Sequence, residues 1–219
     1  MHTPPPFTLD ARLARLTRFF PDLDEGPPPP IPTEGERVQA AVSLILRAGP
    51  ALEVLLIRRA EAEGDPWSGH MALPGGRRDP EDESLLHTAV RETLEETGVR
   101  LSETAAPLGR LDPLVPATRR LPPISIFPFV FGVPHGTRAR AASGEVDEVL
   151  WTPLSHLRSR EAAGTVDIPF GDVTRTFPCL RVEERVIWGL TYRILLDFFR
   201  RIEAEPPPSP GHSRPSLTR

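Results

Sequence analysis

The sequence predicts a layered α/β sandwich, and three observations carry that expectation. Short β-prone apolar runs recur along the chain, segments of helical period lie between them, and proline-rich stretches fall outside the folded unit. At 219 residues the chain is long enough for one domain with a proper core and too short for two. The expected division is an N-terminal helix and Pro-rich linker over 1–35, a folded domain over 36–203, and a disordered tail over 204–219.

Phe7, Leu9, Leu13, Leu16, Phe19 and Phe20 recur at roughly helical spacing, with Asp10 in the first turn. They predict a short helix that packs on the main body or on a second copy in a homodimer. Gly26-Pro27-Pro28-Pro29-Pro30-Ile31-Pro32 reads as an extended, semi-rigid spacer. Residues 38–46 and 52–57 are apolar and β-prone, joined by a hairpin at Arg47-Ala48-Gly49-Pro50. Residues 71–73 form a short strand candidate that ends in a glycine turn at Pro74-Gly75-Gly76. Residues 84–97 read as a helix, with Leu86, Ala89, Val90, Thr93 and Leu94 facing inward and Gly98 as its stop. Residues 124–133 and 148–151 are strands, 153–157 a short helix, and 174–180 with 185–188 a further hairpin. A final helix covers about 190–202, and the tail beyond it is rich in Pro, Ser and Arg, with almost nothing to bury.

Apolar residues make up 39% of the chain, in line with a globular protein. The formal net charge is −4, so bulk charge points to neither nucleic acid nor an anionic membrane as a partner. All 26 basic residues are arginine, so any phosphate contact must come from arginine's fork or from backbone amides. Cys179 stands alone, which excludes an intrachain disulfide and reads as a small buried hydrophobe. No apolar run approaches a membrane span, and Met1 to Pro6 lacks the order of a signal peptide, so the cytoplasm is the expected location.

The chemistry concentrates in Arg91-Glu92-Thr93-Leu94-Glu95-Glu96-Thr97-Gly98-Val99. Glu92, Glu95 and Glu96 stand at i, i+3 and i+4, so on a helix their carboxylates share one face. Three like charges repel there. Arg91 can pair with Glu95, and two carboxylates remain to be neutralised. One reading is a solvated acidic face. The other is a site for a hard divalent cation such as Mg²⁺, which takes oxygen ligands and shares them with substrate phosphates. Gly75-Gly76, just upstream, lets backbone approach a metal or a phosphate closely.

These residues resemble the Nudix family, whose pattern is G-x5-E-x7-R-E-U-x-E-E-x-G-U with U a bulky aliphatic residue. Arg91 to Val99 match the second half at every fixed charge and glycine, with Thr93 in place of the first aliphatic. The pattern's first glutamate falls on Glu83, and its first glycine would fall on Arg77, one residue past Gly76. The loop is thus one residue longer than the common form. Together with Pro-Gly-Gly-x-x-Asp-x-x-Asp, that spacing is similar to the coenzyme A diphosphatase branch.

The resemblance implies a Nudix-type α/β/α sandwich with a mixed β-sheet. It implies Mg²⁺, with Mn²⁺ able to substitute, held by Glu92, Glu95 and Glu96, with Glu96 the foremost ligand. It implies further that Arg91 orients a glutamate, that Gly76 contributes its carbonyl, and that Glu83 steadies the loop or the metal site. Water would attack a diphosphate phosphorus without a covalent enzyme intermediate. The general base is one of the motif glutamates or Glu145 on a later loop, where Glu145 also reads as an ordinary loop residue. Glu148 is expected to alternate outward on its strand.

Arg58 and Arg59 at a strand end, and Arg77 and Arg78 beside the glycine turn, are candidates for a phosphate of a small nucleotide-diphosphate substrate. His70 reads as a packed or solvent-facing histidine, since magnesium prefers oxygen. The stretch Leu55-Leu56-Ile57-Arg58-Arg59-Ala60 keeps part of the branch's upstream signature but has Ile57 for threonine, and the loop after it is acidic. Ile187-Trp188-Gly189-Leu190-Thr191 resembles the branch again. The expected function is hydrolysis of coenzyme A to 3′,5′-ADP and 4′-phosphopantetheine. The alternatives are ADP-ribose, NADH or (d)NTP-type nucleotides as substrate, or a catalytically silent binding protein of the same fold.

Overall fold

A computed structural model describes residues 7–21, 23, 38–61, 68–116, 123–170 and 173–204. The proline-rich spacer, most of the acidic loop at 61–69 and the tail from 205 lie outside the described residues.

Asp10 opens the first helix, α1 (Ala11–Ala14), as its N-cap rather than as a first-turn residue: its carboxylate accepts the Arg12 N–H. A 3₁₀ turn over Arg15–Phe19 follows. Leu13, Leu16 and Phe20 are buried against the body, where Phe20 stacks on Phe198 at 5.9 Å. Of the two expected partners for this segment, the structure places it on the main body.

The body is a seven-stranded sheet of β1 (Val38–Ala48), β2 (Leu52–Arg59), β3 (Met71–Ala72), β4 (Gly75–Arg77), β5 (Ala106–Arg110), β6 (Ile124–Val133) and β7 (Val146–Pro153). β1 runs parallel to β6 and antiparallel to β2 and β4, and β2 carries β3 and β7 antiparallel. The sheet is therefore mixed. Both faces of β1 are covered, which is why it reads apolar almost throughout. Ala40, Leu44 and Leu46 point into one layer, Ala41 and Ile45 into the other.

The layer on the Ala41 side holds α2 (Leu85–Thr97) and α3 (Leu101–Thr104). The opposite layer holds the N-terminal segment, α4 (Leu154–Leu157) and α5 (Gly189–Glu203). A second antiparallel sheet, β8 (Ala163–Phe170), β9 (Val173–Val182) and β10 (Arg185–Trp188), joins that layer through Leu180, Val182 and Ile187. The result is the expected α/β/α sandwich.

Four elements differ from the sequence expectation. Gly75-Gly76 is not a turn but part of strand β4, paired with Val42 and Ala41. Gly75 has φ +148°, and a Cβ there would run into the Ala41 carbonyl, so only glycine lets this strand lie so close to β1. β5 and β8 were hidden by Pro107, Gly109 and Pro169, residues tolerated on edge strands. The four-residue α3 is too short to leave a periodic signal.

Ser84 caps α2 through the His87 N–H, and Gly98 ends it with φ 69°. Its buried face is rotated from the expected one. Leu94 is exposed, while Leu85, Thr88 and Glu96 are buried beside Ala89 and Thr93. Thr93 in the aliphatic position of the motif has a physical partner. Its hydroxyl lies 2.8 Å from the Ser43 hydroxyl on β1 and 2.7 Å from the Ala89 carbonyl, all of it buried. A double-mutant cycle of Ser43→Ala and Thr93→Val, followed by denaturant unfolding, should give a coupling energy of about 0.5–1.5 kcal/mol. Strict additivity would mean that the two hydroxyls do not stabilise one another.

Candidate active site

Two elements build the site: α2 supplies carboxylates and β4 supplies bare backbone. Glu96 lies on the buried face of α2, and its carboxylate accepts the Gly75 N–H at 2.9 Å. Burial pushes its pKa up to about 8, opposed by the Gly75 hydrogen bond and reinforced by the Glu92 charge. Glu92, one turn earlier, is partly buried, and burial raises its pKa above the ordinary value against the pull of Arg91. A Cβ on Gly76 would fall on the Glu92 carboxylate, so the glycine is what lets that carboxylate reach the β4 backbone. Glu95 is more than half exposed and off the buried face.

Arg91 ties this group to the loop before α2. Its Nε and Nη2 donate to both oxygens of Asp82, at 3.0 and 2.9 Å, in a fork-to-carboxylate pair. Its Nη1 donates to Glu92 at 3.0 Å and to Glu95 at 3.3 Å, and Nη2 also reaches the Arg77 carbonyl. Asp82 is buried and accepts in addition from the Asp79 N–H and the Thr88 hydroxyl. The Arg91 guanidinium holds the Asp82 carboxyl well below the usual carboxylate range, and Asp82 in turn raises Arg91. Sequence reasoning missed Asp82 as the main partner of Arg91. Its only signal was a place in the quoted Asp-x-x-Asp spacing. Glu83, assigned to steady the loop, has an exposed side chain, while its backbone N–H donates to His87.

The arginine candidates separate by strand alternation. Leu55 packs on the α2 side of the sheet, and so Arg59 emerges there, where its charge lowers the Glu96 pKa. Arg58 leaves on the other face, paired with Asp147 and lying 3.7 Å from Glu148. Glu148 also accepts two bonds from Arg185 on β10, at 2.8 and 2.5 Å. Instead of pointing free into solvent, Glu148 thus links β2, β7 and the second sheet. The Arg77 side chain is exposed, and Arg78 binds the Gln39 side chain and the Asp82 carbonyl. Glu145 sits on an exposed loop near enough for its charge to raise Glu96, and its carbonyl accepts the Ala60 N–H at 2.8 Å.

Among the described residues no three His, Cys, Asp or Glu side chains are gathered into a ready-made metal cage. Two carboxylates against part-exposed glycine backbone, with burial disfavouring the charge on both, still fit one class of ion. A hard divalent cation keeps several waters and shares a few carboxylates with substrate phosphate.

Comparison with known proteins bears on the same region. Residues 37–170 match the family model described as the NUDIX domain. The human mitochondrial coenzyme A diphosphatase NUDT8 is 30% identical over 207 residues, covering 84% of this chain and 82% of that protein. An uncharacterized Nudix hydrolase, NudL, of Photorhabdus laumondii subsp. laumondii is 31% identical over 81% of this chain and 91% of its own. An uncharacterized protein of Schizosaccharomyces pombe is 42% identical over 118 residues, which span 52% of this chain and only 36% of that protein. A MutT/nudix family protein of Enterococcus faecalis shares the fold with a TM-score of 0.56 at 21% identity, covering 80% of this chain and 66% of its own. Nudix hydrolases generally use divalent metal ions.

The Asp82–Arg91 pair gives a test of the site's framework. Asp82→Asn removes one member of a largely buried ion pair and should lower stability by about 3 kcal/mol at neutral pH. Because the folded-state pKa of Asp82 is depressed, its contribution is fully present above about pH 4 and lost as pH falls further. Urea unfolding at a series of pH values should therefore show the gap to wild type narrowing in acid.

Proposed function

The chain belongs to the Nudix family and is a hydrolase of that family, and on that premise we propose that it cleaves the diphosphate of a nucleoside-diphosphate-linked substrate, coenzyme A foremost, with Mg²⁺ as its metal. The observation that carries this reading is the set of Glu92 and Glu96 carboxylates packed against the Gly75–Gly76 backbone. Mg²⁺, when bound, supplies charge to neutralise phosphate oxygens and lowers the pKa of a water nucleophile. Glu92 and Glu96 would hold it, with Mn²⁺ able to replace it, whereas the Gly76 carbonyl, flanked by residues that bond to β1 on either side, points along the sheet toward Ala41.

The other residues then take definite tasks. Arg91, fixed by Asp82, keeps Glu92 and Glu95 in place. Arg59, whose charge bears on Glu96, is the arginine that would meet a phosphate there. Glu145, whose charge bears on Glu96, is the base candidate outside the motif. Three features favour coenzyme A: the longer loop before Glu83, the Leu55-Leu56 and Ile187-Trp188-Gly189 stretches, and the similarity to the human enzyme. Ile57 and the acidic loop that follows depart from that pattern, which keeps ADP-ribose, NADH and dinucleoside polyphosphates in the substrate panel.

Product analysis over that panel tests the reading. Mg²⁺-dependent conversion of coenzyme A to 3′,5′-ADP and 4′-phosphopantetheine is the expected result, and no turnover of it would remove the coenzyme A assignment. Glu96→Gln should abolish turnover while leaving the circular dichroism spectrum unchanged. Activity equal to wild type would remove Glu96 from the catalytic machinery, and no turnover by wild type of any substrate in the panel would make the Nudix-fold binding protein the better reading.

A further inference from the structure

The connection from β6 to β7, residues 134–145, crosses the C-terminal end of α2. Gly98 stops that helix, so the carbonyls of Glu96 and Thr97 have no N–H partner within it. The connection supplies both. The Arg140 N–H donates to the Thr97 carbonyl at 3.1 Å, and the Ala142 N–H to the Glu96 carbonyl at 3.0 Å. Glu96 is therefore held twice, its carboxylate by the Gly75 N–H and its backbone by Ala142.

A few residues further on, the same chain is fixed again. Ser143 opens a tight turn in which its carbonyl accepts the Val146 N–H at 3.4 Å and its hydroxyl accepts the Glu145 N–H at 3.3 Å. The Glu145 carbonyl accepts the Ala60 N–H at 2.8 Å, and Ala60 directly follows Arg59 at the end of β2. Residues 142–145 thus bridge the ends of α2 and β2, the two elements that carry Glu96 and Arg59. The chain from Ala142 to Glu145 spans at most about 11 Å even when fully extended, so the place of Glu145 follows that of Glu96. The charges agree: Arg59 lowers the Glu96 pKa and Glu145 raises it. Gly144, between the two anchors, has no described atom within 4 Å of where a Cβ would stand, so hydrogen bonds rather than packing hold the turn there.

We propose that Ala142 and Ser143 are positioning residues that set the Glu145 carboxylate beside Glu96, where it serves as the general base of hydrolysis. The assignment rests on the reading of Glu145 as the base and adds to it what holds that base in place. In this reading the carboxylate accepts a proton from the attacking water as the new O–P bond forms and the bond from phosphorus to the bridging oxygen breaks. A carboxylate on an exposed loop samples many places, and a misplacement of about 1 Å costs on the order of 100-fold in rate. Anchors on α2 and β2, with the Ser143 hydroxyl between them, remove that freedom.

The test compares kcat, KM and the Mg²⁺ concentration giving half the maximal rate, on the substrate of the panel that wild type turns over fastest. Ser143→Ala, which leaves the Glu145 N–H without its acceptor, should lower kcat about fivefold with KM and the Mg²⁺ requirement unchanged. Ser143→Thr keeps the hydroxyl and should recover most of that loss. Gly144→Ala, in the same turn but with every bond kept, should match wild type. In a Glu145→Gln background Ser143→Ala should have no further effect, because the group it misplaces no longer takes the proton. The same fivefold fall in that background, an equal fall in Gly144→Ala, or a higher Mg²⁺ requirement (the mark of damage to α2) overturns the positioning role. If Glu145→Gln alone keeps the wild-type kcat, the base assignment fails and the positioning role with it, while Mg²⁺-dependent hydrolysis stands. No turnover of any substrate by wild type would remove hydrolysis and the role together. Should Ser143→Ala not fold, Ala142→Pro, which lacks the N–H that binds Glu96, carries the same comparison. A fall in kcat confined to the Glu145 background is then expected, and an equal fall in Glu145→Gln overturns.

Discussion

Everything in the site depends on one close approach, that of the glycine strand β4 to its neighbours on both sides. On one side Gly75 lies so near β1 that a Cβ would strike the Ala41 carbonyl, and on the other Gly76 lies under the Glu92 carboxylate. β4 is held by pairing with residues 40–42 of β1, and α2 packs across both. Substituting either glycine would push β4 away from β1 or away from α2. In both cases the Gly75 N–H would lose its bond to Glu96. The sheet's centre and the carboxylates are thus coupled through a backbone, with no side chain between them to absorb a shift.

Arg91 applies the same economy to charge. A chain with no lysine must meet its acidic helix with guanidinium groups, and one of them serves Asp82, Glu92, Glu95 and the Arg77 carbonyl together. The fork shape makes this work, since five donors in a plane can bind a carboxylate bidentately and still reach sideways. Asp82, buried and bonded on both oxygens, anchors the fork. The helix residues that face solvent then need no further neutralisation, whereas Glu96, beyond Arg91's reach on the inner face, receives none of it.

What could be read from the sequence was what short-range periodicity encodes. The helix over 85–97 with its serine cap and glycine stop, the long strands and the terminal helix all follow from local pattern. The glutamate spacing put Glu92 and Glu96 one turn apart on a helix, and α2 has them so. Three things lay beyond reach because they depend on the chain returning to itself. Asp82 meets Arg91 only after the loop folds back, so the i, i+4 partner Glu95 was the one that spacing could offer. Gly75-Gly76 carries the composition of a turn, and only a third strand alongside makes it β4. Arg58 and Arg59 look equivalent in sequence, yet the pleat sends them to opposite faces, one to Asp147 and the other toward Glu96.

The burial of Glu96 opposes stability, and that is informative about what the fold is shaped to do. Its folded-state pKa is raised to about 8 from an ordinary value near 4.5. A carboxyl raised in this way binds its proton more tightly in the folded state. Its effect is therefore absent below about pH 4 and grows more unfavourable as pH rises toward the folded value. Packing alone would favour an apolar side chain beside Ala89 and Thr93. A carboxylate persists there against that preference, aimed at a glycine N–H and adjacent to a second carboxylate that burial also disfavours. An added positive charge would remove both penalties at once. On the function proposed above, a divalent cation at the α2–β4 junction would supply that charge.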